Sequence, residues 1–242
     1  RLLSRGLGDV YKRQDYNITD NAAALISAGD EVLNVAGVDI VTASDTSVNA
    51  NIGGDLSGFT ADIEFDVVDN ADAIAIEVAD SGYGAGSLDE ANNVAVVSGD
   101  VTASEADAIQ DIAKYSGADS DYDITDTAAA LISATDSVLN VDGVDTVTVS
   151  DGPVLADTGE KLAQLSKDVE FDVEDTADNV AAEVTGSNGA GDLDEANTVV
   201  VSGGDVTASE ADAIQSISGY VGTASDYDIT DTAAALISAT DS

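Results

Sequence analysis

Short runs of alternating apolar and polar residues recur along this chain, and each ends on an aspartate: Asp20, Asp45, Asp69, Asp100, Asp126, Asp151, Asp175, Asp205 and Asp231. Two and four residues before seven of these aspartates stand Ile18/Tyr16, Ala43/Val41, Val67/Phe65, Ile124/Tyr122, Val149/Val147, Val173/Phe171 and Ile229/Tyr227. The positions between and after them are almost all polar, as in Asn17/Thr19, Thr148/Ser150 and Asp228/Thr230, with Asp66/Val68 a partial exception. Side chains of a strand point alternately to its two faces, so the pattern predicts strands with one buried and one wet face. The runs VAVVSGD and VVVSGGD before Asp100 and Asp205 carry extra glycine, which predicts a bulge or a looser exit there.

A helical pattern follows each strand. In TAAALISATDSVLN, Ala128, Leu131, Ile132, Val138 and Leu139 fall near one face, and Asp126 stands where an N-cap is expected. Thr102 with Glu105 reads as a capping box, repeated by Thr207 with Glu210. The helix after Asp45 is expected to be the weakest, because Gly53, Gly54 and Gly58 interrupt it. Its later counterpart places Pro153 early, a position where a first helical turn tolerates proline.

The spacing of the aspartates gives strand–helix units of 24 to 31 residues. One such unit cannot bury its own apolar face, whereas stacked copies can. The expected fold is therefore α/β, a repeat solenoid of strand–helix units with a parallel sheet on one side and short helices on the other. A doubly wound domain fits less well, since its buried strands would be apolar on both faces. A longer period overlies the short one. DYDITDTAAALISATDS at 121–137 returns unchanged at 226–242, and residues 15–31 match it at thirteen of seventeen positions. VTASEADAIQ at 101–110 returns at 206–215. Residues 15–242 are thus expected to be one array of long repeats, 15–120, 121–225 and a truncated 226–242.

Charge narrows the function. The 242 residues hold 48 Asp plus Glu against 7 Lys plus Arg, a net charge of −41, with no Cys, His, Met or Trp. That composition removes thiol nucleophiles, disulfides, histidine bases and the usual Cys/His zinc sites. It argues against nucleic acid as a partner, since phosphate binding needs clustered Lys and Arg, and no segment reads as a membrane span. Four of the seven basic residues, Arg1, Arg5, Lys12 and Arg13, lie in the first fourteen positions. The segment RLLSRGLGDVYKRQ resembles translated sequencing-adapter read-through of metagenomic assemblies, and residues 1–14 are expected not to belong to the fold. The remaining 228 residues carry −44.

The chemistry on offer is that of carboxylates. In the runs DSDYDITD and SDYDITD, Asp121, Asp123 and Asp126, and again Asp226, Asp228 and Asp231, are candidate ligands of calcium, a hard cation that takes several oxygens. For Asp126 and Asp231 the competing reading is helix N-capping. Neither an EF-hand loop nor a glycine-rich calcium nonapeptide is present. The stretches GYGAGSLDEAN (82–92) and GSNGAGDLDEAN (186–197) offer Asp89, Glu90, Asp192, Asp194 and Glu195 to a binding loop. Equally, Ser87 with Glu90 and Asp192 with Glu195 read as capping boxes. Paired carboxylates also serve glycoside hydrolysis, but here every candidate pair recurs in the copies, which disfavours a unique catalytic centre.

The tandem VTASEADAIQ, YDITDTAAALISATDS and VDTVTVSD units resemble the acidic repeats of very large secreted or cell-surface, adhesin-like proteins of marine bacteria. The resemblance covers nearly all of 15–242. It implies a non-enzymatic spacer or adhesin-stalk segment, extracellular or at the cell surface, whose main partners are neighbouring repeats. Calcium or polysaccharide binding is the alternative, and a solenoid carbohydrate-active enzyme a more distant one.

Overall fold

A computed structural model of the chain describes residues 15–79, 88–186 and 192–239. Residues 1–14, and 82–87 and 187–191 of the glycine-rich stretches, lie outside them. The fold is mixed α/β. The chain divides into two compact bodies, one ending at Gly99 and adding Glu105–Tyr122, the other made of Asp100–Ser104 and everything from Asp123 onward.

The first body opens with β1 (Tyr16–Asp20), α1 (Ala22–Ala28), α2 (Asp30–Leu33), β2 (Val38–Ala43) and α3 (Ala50–Ser57). It continues with β3 (Ile63–Glu64), β4 (Asp66–Asp69), α4 (Ala71–Ala79) and β5 (Asn93–Val96). Next along the chain are β6 (Asp100–Val101), α5 (Ala103–Gln110) and β7 (Tyr122–Asp126). The second body proceeds through α6 (Ala128–Ser133), α7 (Asp136–Leu139), β8 (Val144–Val149), α8 (Ala156–Ala163), β9 (Asp172–Asp175) and α9 (Ala177–Thr185). It closes with β10 (Thr198–Val206), α10 (Ala208–Gln215), β11 (Asp226–Ile229) and α11 (Ala233–Ser238).

Among the described residues these strands form four small sheets, β1-β2-β3, β4-β5, β6-β7-β8 and β11-β10-β9, in which β1 with β2, β2 with β3, β4 with β5, β6 with β7, β9 with β10 and β10 with β11 pair in parallel. Neighbours in a sheet are neighbours in sequence, because a helix returns the chain between parallel strands. Register stacks the apolar positions. In the first body Val48 pairs with Val67, Val67 with Val94, and Val94 with Tyr115. The second body repeats the column as Val154, Val173, Val199 and Tyr220. Single bridging residues such as Val48 and Tyr115 extend the ladder beyond the strands that alternation picks out.

The expected alternation is present where a strand has neighbours. Val41, Phe65, Val67, Tyr122, Ile124, Val147, Phe171 and Val173 are all buried, with Val67, Ile124 and Val147 fully so. The expected loosening at the glycine-rich exits is also seen: β5 stops before Gly99 (φ 117°), and the β10–β11 register shifts between Ser202 and Asp205. These strands are backed by helices, α1, α3 and α4 lying side by side in the first body and α6, α8, α9 and α10 in the second.

The interruption expected of α3 is not found: the helix runs unbroken through Gly53 and Gly54 and ends at Gly58, and packing gives these glycines a reason. A Cβ at Gly53 would stand 2.7 Å from Val67 Cγ2 and 3.2 Å from Leu88 Cδ2, and one at Gly159 of α8 would stand 2.9 Å from Val173 Cγ2. Glycine is what lets these helices lie directly on the valine column. Gly53→Ala is therefore expected to destabilise the protein although it improves helix propensity. Overpacking costs about 1–3 kcal/mol, against at most about 1 kcal/mol gained from propensity. A lower midpoint in urea unfolding of Gly53→Ala than of the parent is the result to look for.

Candidate functional site

The strand-end aspartates, the most regular polar feature of the sequence, act in a way that the helix N-cap reading only half describes. The N-cap of α6 is Thr127, not Asp126, and its side chain accepts from Ala130 N. Asp126 instead reaches back 23 residues: its Oδ2 accepts the backbone N–H of Ala103, the first residue of α5, at 3.1 Å. Its Oδ1 accepts the N–H of Thr127 at 2.7 Å. Asp231 does the same with Ala208 N at 3.2 Å and Thr232 N at 2.6 Å. The first four N–H groups of a helix lack partners within it, so each aspartate satisfies a donor of the preceding unit while holding its own chain turn.

The contact recurs throughout. Asp45 accepts from Ala22 at 2.6 Å, Asp69 from Ala50 at 2.9 Å, Asp151 from Ala128 at 3.0 Å and Asp175 from Ala156 at 3.0 Å. At α4, whose acceptor would have been Asp100, the carbonyl of Ser98 takes the N–H of Ala71 at 2.7 Å instead. The glycine there is required, since a Cβ on Gly99 would lie 3.1 Å from Ala71 N. The alanines that start α1, α3, α4, α5, α6, α8, α9 and α10 are buried, Ala50, Ala71, Ala156 and Ala177 completely, because the neighbouring strand end approaches at that point. The sequence carries a signal for this: the tripeptides Asp20-Asn-Ala22, Asp69-Asn-Ala71, Asp126-Thr-Ala128, Asp175-Thr-Ala177 and Asp231-Thr-Ala233 join strand end, N-cap and helix start.

Of the calcium candidates, Asp123 and Asp126 lie on β7 three residues apart, so strand geometry turns them to opposite faces. Asp123 Oδ1 accepts from Thr146 N at 3.0 Å and Thr146 Oγ1 at 2.6 Å, a cross-strand tie on the wet face. Asp121 is exposed, and its N–H donates to Val96 O. In the other copy Asp226 and Asp228 are exposed on β11, and Asp231 is held by the backbone as above. Among the described residues no three acidic side chains are gathered in a way that could hold a metal ion.

The glycine-rich candidates divide. Ser87 and the side chain of Asp192 lie outside the described residues. Asp89 Oδ1 accepts Ala113 N and Asp194 Oδ1 accepts Ser218 N, both at 2.7 Å, so these two acids tie down the backbone of the following unit. Glu90 and Glu195 are exposed. The Thr207–Glu210 capping box is present, and the N–H and hydroxyl of Thr207 hold the Glu210 carboxyl below its ordinary pKa.

Two acids stand apart. Asp175 is the buried charged residue among those described, 7% exposed, and it has no cation beside it. Three N–H groups satisfy it, those of Thr176 at 2.7 Å, Asn179 Nδ2 at 2.7 Å and Ala156 at 3.0 Å. Glu183, on α9, is pushed above its ordinary pKa first by burial and then by a hydrogen bond with the carboxyl of Glu160 on α8. Burial likewise raises the Tyr122 hydroxyl, which accepts from Gln110 Nε2 at 2.8 Å. No helix of the described residues is long and apolar enough to cross a membrane. Comparison with known protein families, with curated proteins and with solved structures finds no match to this chain.

Asp175→Ala takes the acceptor from three N–H donors; those of the exposed Thr176 and Asn179 can turn to water, while the N–H of the fully buried Ala156 is left unsatisfied at a cost of about 1–3 kcal/mol. Asp226→Ala, on an exposed edge strand, is expected to stay within about 0.5 kcal/mol of the parent. Denaturant unfolding of both variants measures the contrast. For Glu183 the sign runs opposite to a salt-bridged acid. Its folded pKa lies above its unfolded one, so its ionisation costs stability at neutral pH, and the cost fades as pH falls through the raised value. Glu183→Gln is expected to raise the melting temperature at pH 7 and to leave it unchanged at pH 4, below the ordinary glutamate range.

Proposed function

We propose that this chain is a non-enzymatic structural segment, a spacer or adhesin-type stalk, built as an α/β solenoid in which each strand–helix unit completes the one before it. The observation that carries the reading is the backward hydrogen bond from a strand-end acceptor to the preceding helix start, repeated at Ala22, Ala50, Ala71, Ala103, Ala128, Ala156 and Ala208. A unit joined to its neighbour by a rule of this kind can be added without limit, which is what an extender requires. Acids that serve backbone donors in every copy are structural rather than catalytic in character. The remaining carboxylates keep an exterior of like charge soluble and unattractive to phosphate polymers. An extracellular or cell-surface setting follows from the resemblance to acidic repeats of large bacterial surface proteins and agrees with a chain lacking cysteine.

Solution X-ray scattering tests this directly. A chain carrying one extra copy of residues 121–225 is compared with the parent, in NaCl and in CaCl2 at equal ionic strength. Four further strands at about 4.8 Å spacing should lengthen the particle by about 19 Å at constant cross-section, equally in both salts. Growth in all three dimensions would sink the solenoid stalk. Lengthening or ordering that calcium alone produces would transfer the assignment to a calcium-binding repeat module.

A further inference from the structure

Tyrosine carries chemistry that the carboxylates do not. In a chain with no Cys, Met, Trp or His it is the most readily oxidised side chain present. Four of the five tyrosines among the described residues form two pairs at equivalent repeat positions, Tyr115 with Tyr122 and Tyr220 with Tyr227. In each pair the two phenol hydroxyls are hydrogen-bonded to each other. A glutamine of the preceding helix fixes the second ring: Gln110 Nε2 donates to the Tyr122 hydroxyl at 2.8 Å, and Gln215 Nε2 to that of Tyr227 at 3.0 Å.

The backbone builds each pair. Tyr220 stands opposite Val199 of β10, and Val221 N donates to Val199 O at 2.9 Å. Two residues further along β10, Val201 N donates to Ser225 Oγ at 3.0 Å. The loop between is thus pinned at both ends to one strand, which sets Tyr220 and Tyr227 at its neck. The same ties, Ser116 N to Val94 O and Val96 N to Ser120 Oγ, set Tyr115 and Tyr122. Access separates the two pairs. Tyr122 is 1% exposed, out of reach of an oxidant, whereas Tyr220 and Tyr227 are both half-buried.

We propose that Tyr220 and Tyr227 are a site of oxidative cross-linking, coupled through their ortho carbons into a dityrosine that closes the neck of the loop covalently. Each phenol gives up one electron and its hydroxyl proton. The two ring radicals combine in one carbon–carbon bond, and each coupled carbon then passes its hydrogen to the phenol oxygen. A peroxide accepts the two electrons as its O–O bond breaks, so that hydrogen peroxide, taking up the two protons, leaves as two waters. Hydrogen-bonded hydroxyls favour the coupling because each ortho carbon adjoins the carbon that bears its oxygen. Such a tie takes the place of a disulfide in a chain without cysteine, a use that rests on the extracellular setting proposed above; the coupling itself does not.

The test is photo-oxidation of the full chain, at low concentration, by tris(bipyridyl)ruthenium(II) with persulfate, the peroxide that ends as two sulfates. Cleavage at Asp226 then separates the two tyrosines for peptide mapping. Dityrosine fluorescence is expected, with a linked peptide pair that contains Tyr220 and Tyr227, in a product that runs as a single chain on a denaturing gel. Tyr227→Phe, which keeps the ring and removes the hydroxyl, should lose most of that fluorescence, and Tyr16→Phe should retain it. Residues this close in sequence also meet in a flexible chain, so the reaction is repeated in urea, where the link should form at least fivefold less. An equal yield in urea, links mainly between chains, fluorescence that persists in full in Tyr227→Phe, or tyrosines oxidised singly with no linked pair would overturn the site.

Discussion

One carboxylate holding two helix starts is the contact on which the rest of this architecture depends. A short helix has few internal hydrogen bonds, and its first N–H groups would be left without acceptors against a packed strand end. Asp69, Asp126, Asp175 and Asp231 each bond the N–H that follows them and the first helical N–H of the preceding unit. Charge-assisted bonds of this kind are stronger than neutral ones, and the negative group sits at the positive end of the helix dipole. Alanine follows at the helix start because the approach leaves room for a methyl group and little more.

The same contact makes the acidity of the chain intelligible. Net charge of one sign opposes compaction, and three lysines cannot neutralise the acids of residues 15–242. Within the fold, backbone N–H and threonine hydroxyl groups stand in for cations. Asp175 is buried on N–H donors alone, Asp123 and Asp172 take hydroxyl bonds from Thr146 and Thr198, and Asp30 and Asp136 hold Thr60 and Ser166 across thirty residues. The ion pair of Lys161 with Asp157 is exposed and adds little. Regularity of this sort suits a stalk, since each unit carries its own means of attachment.

Much of the fold was legible beforehand. Alternation before seven of the nine aspartates located strands, and glycine marked the disturbed exits at Gly99 and Gly203–Gly204, because these signals are local; Asp100, however, opens β6 and Asp205 lies within β10. Gly53 of α3 misled, since its poor helix propensity is visible in sequence while Val67, against which it lies, is not. For the aspartates, the preference for helix starts was readable, but the helix concerned was the previous one. That partner stands 19 or 23 residues away and becomes adjacent only when the chain returns beside itself.

Two identical segments separate what belongs to sequence from what belongs to tertiary structure. Residues 121–134 and 226–239 have the same sequence, and both form a strand, a threonine N-cap and an AAALIS helix. Backbone alternation, cap and helical periodicity are properties of a few adjacent residues, so the sequence by itself determined them. Burial was not so determined. Ile124 and Leu131 are fully enclosed, whereas their counterparts Ile229 and Leu236 are each 45% exposed, and α11 buries none of its residues. The interior copy has strands on both sides, β6 and β8, while β11 has a partner only in β10. Enclosing an apolar side chain takes neighbours from distant parts of the chain, and only the tertiary structure decided where those neighbours stand.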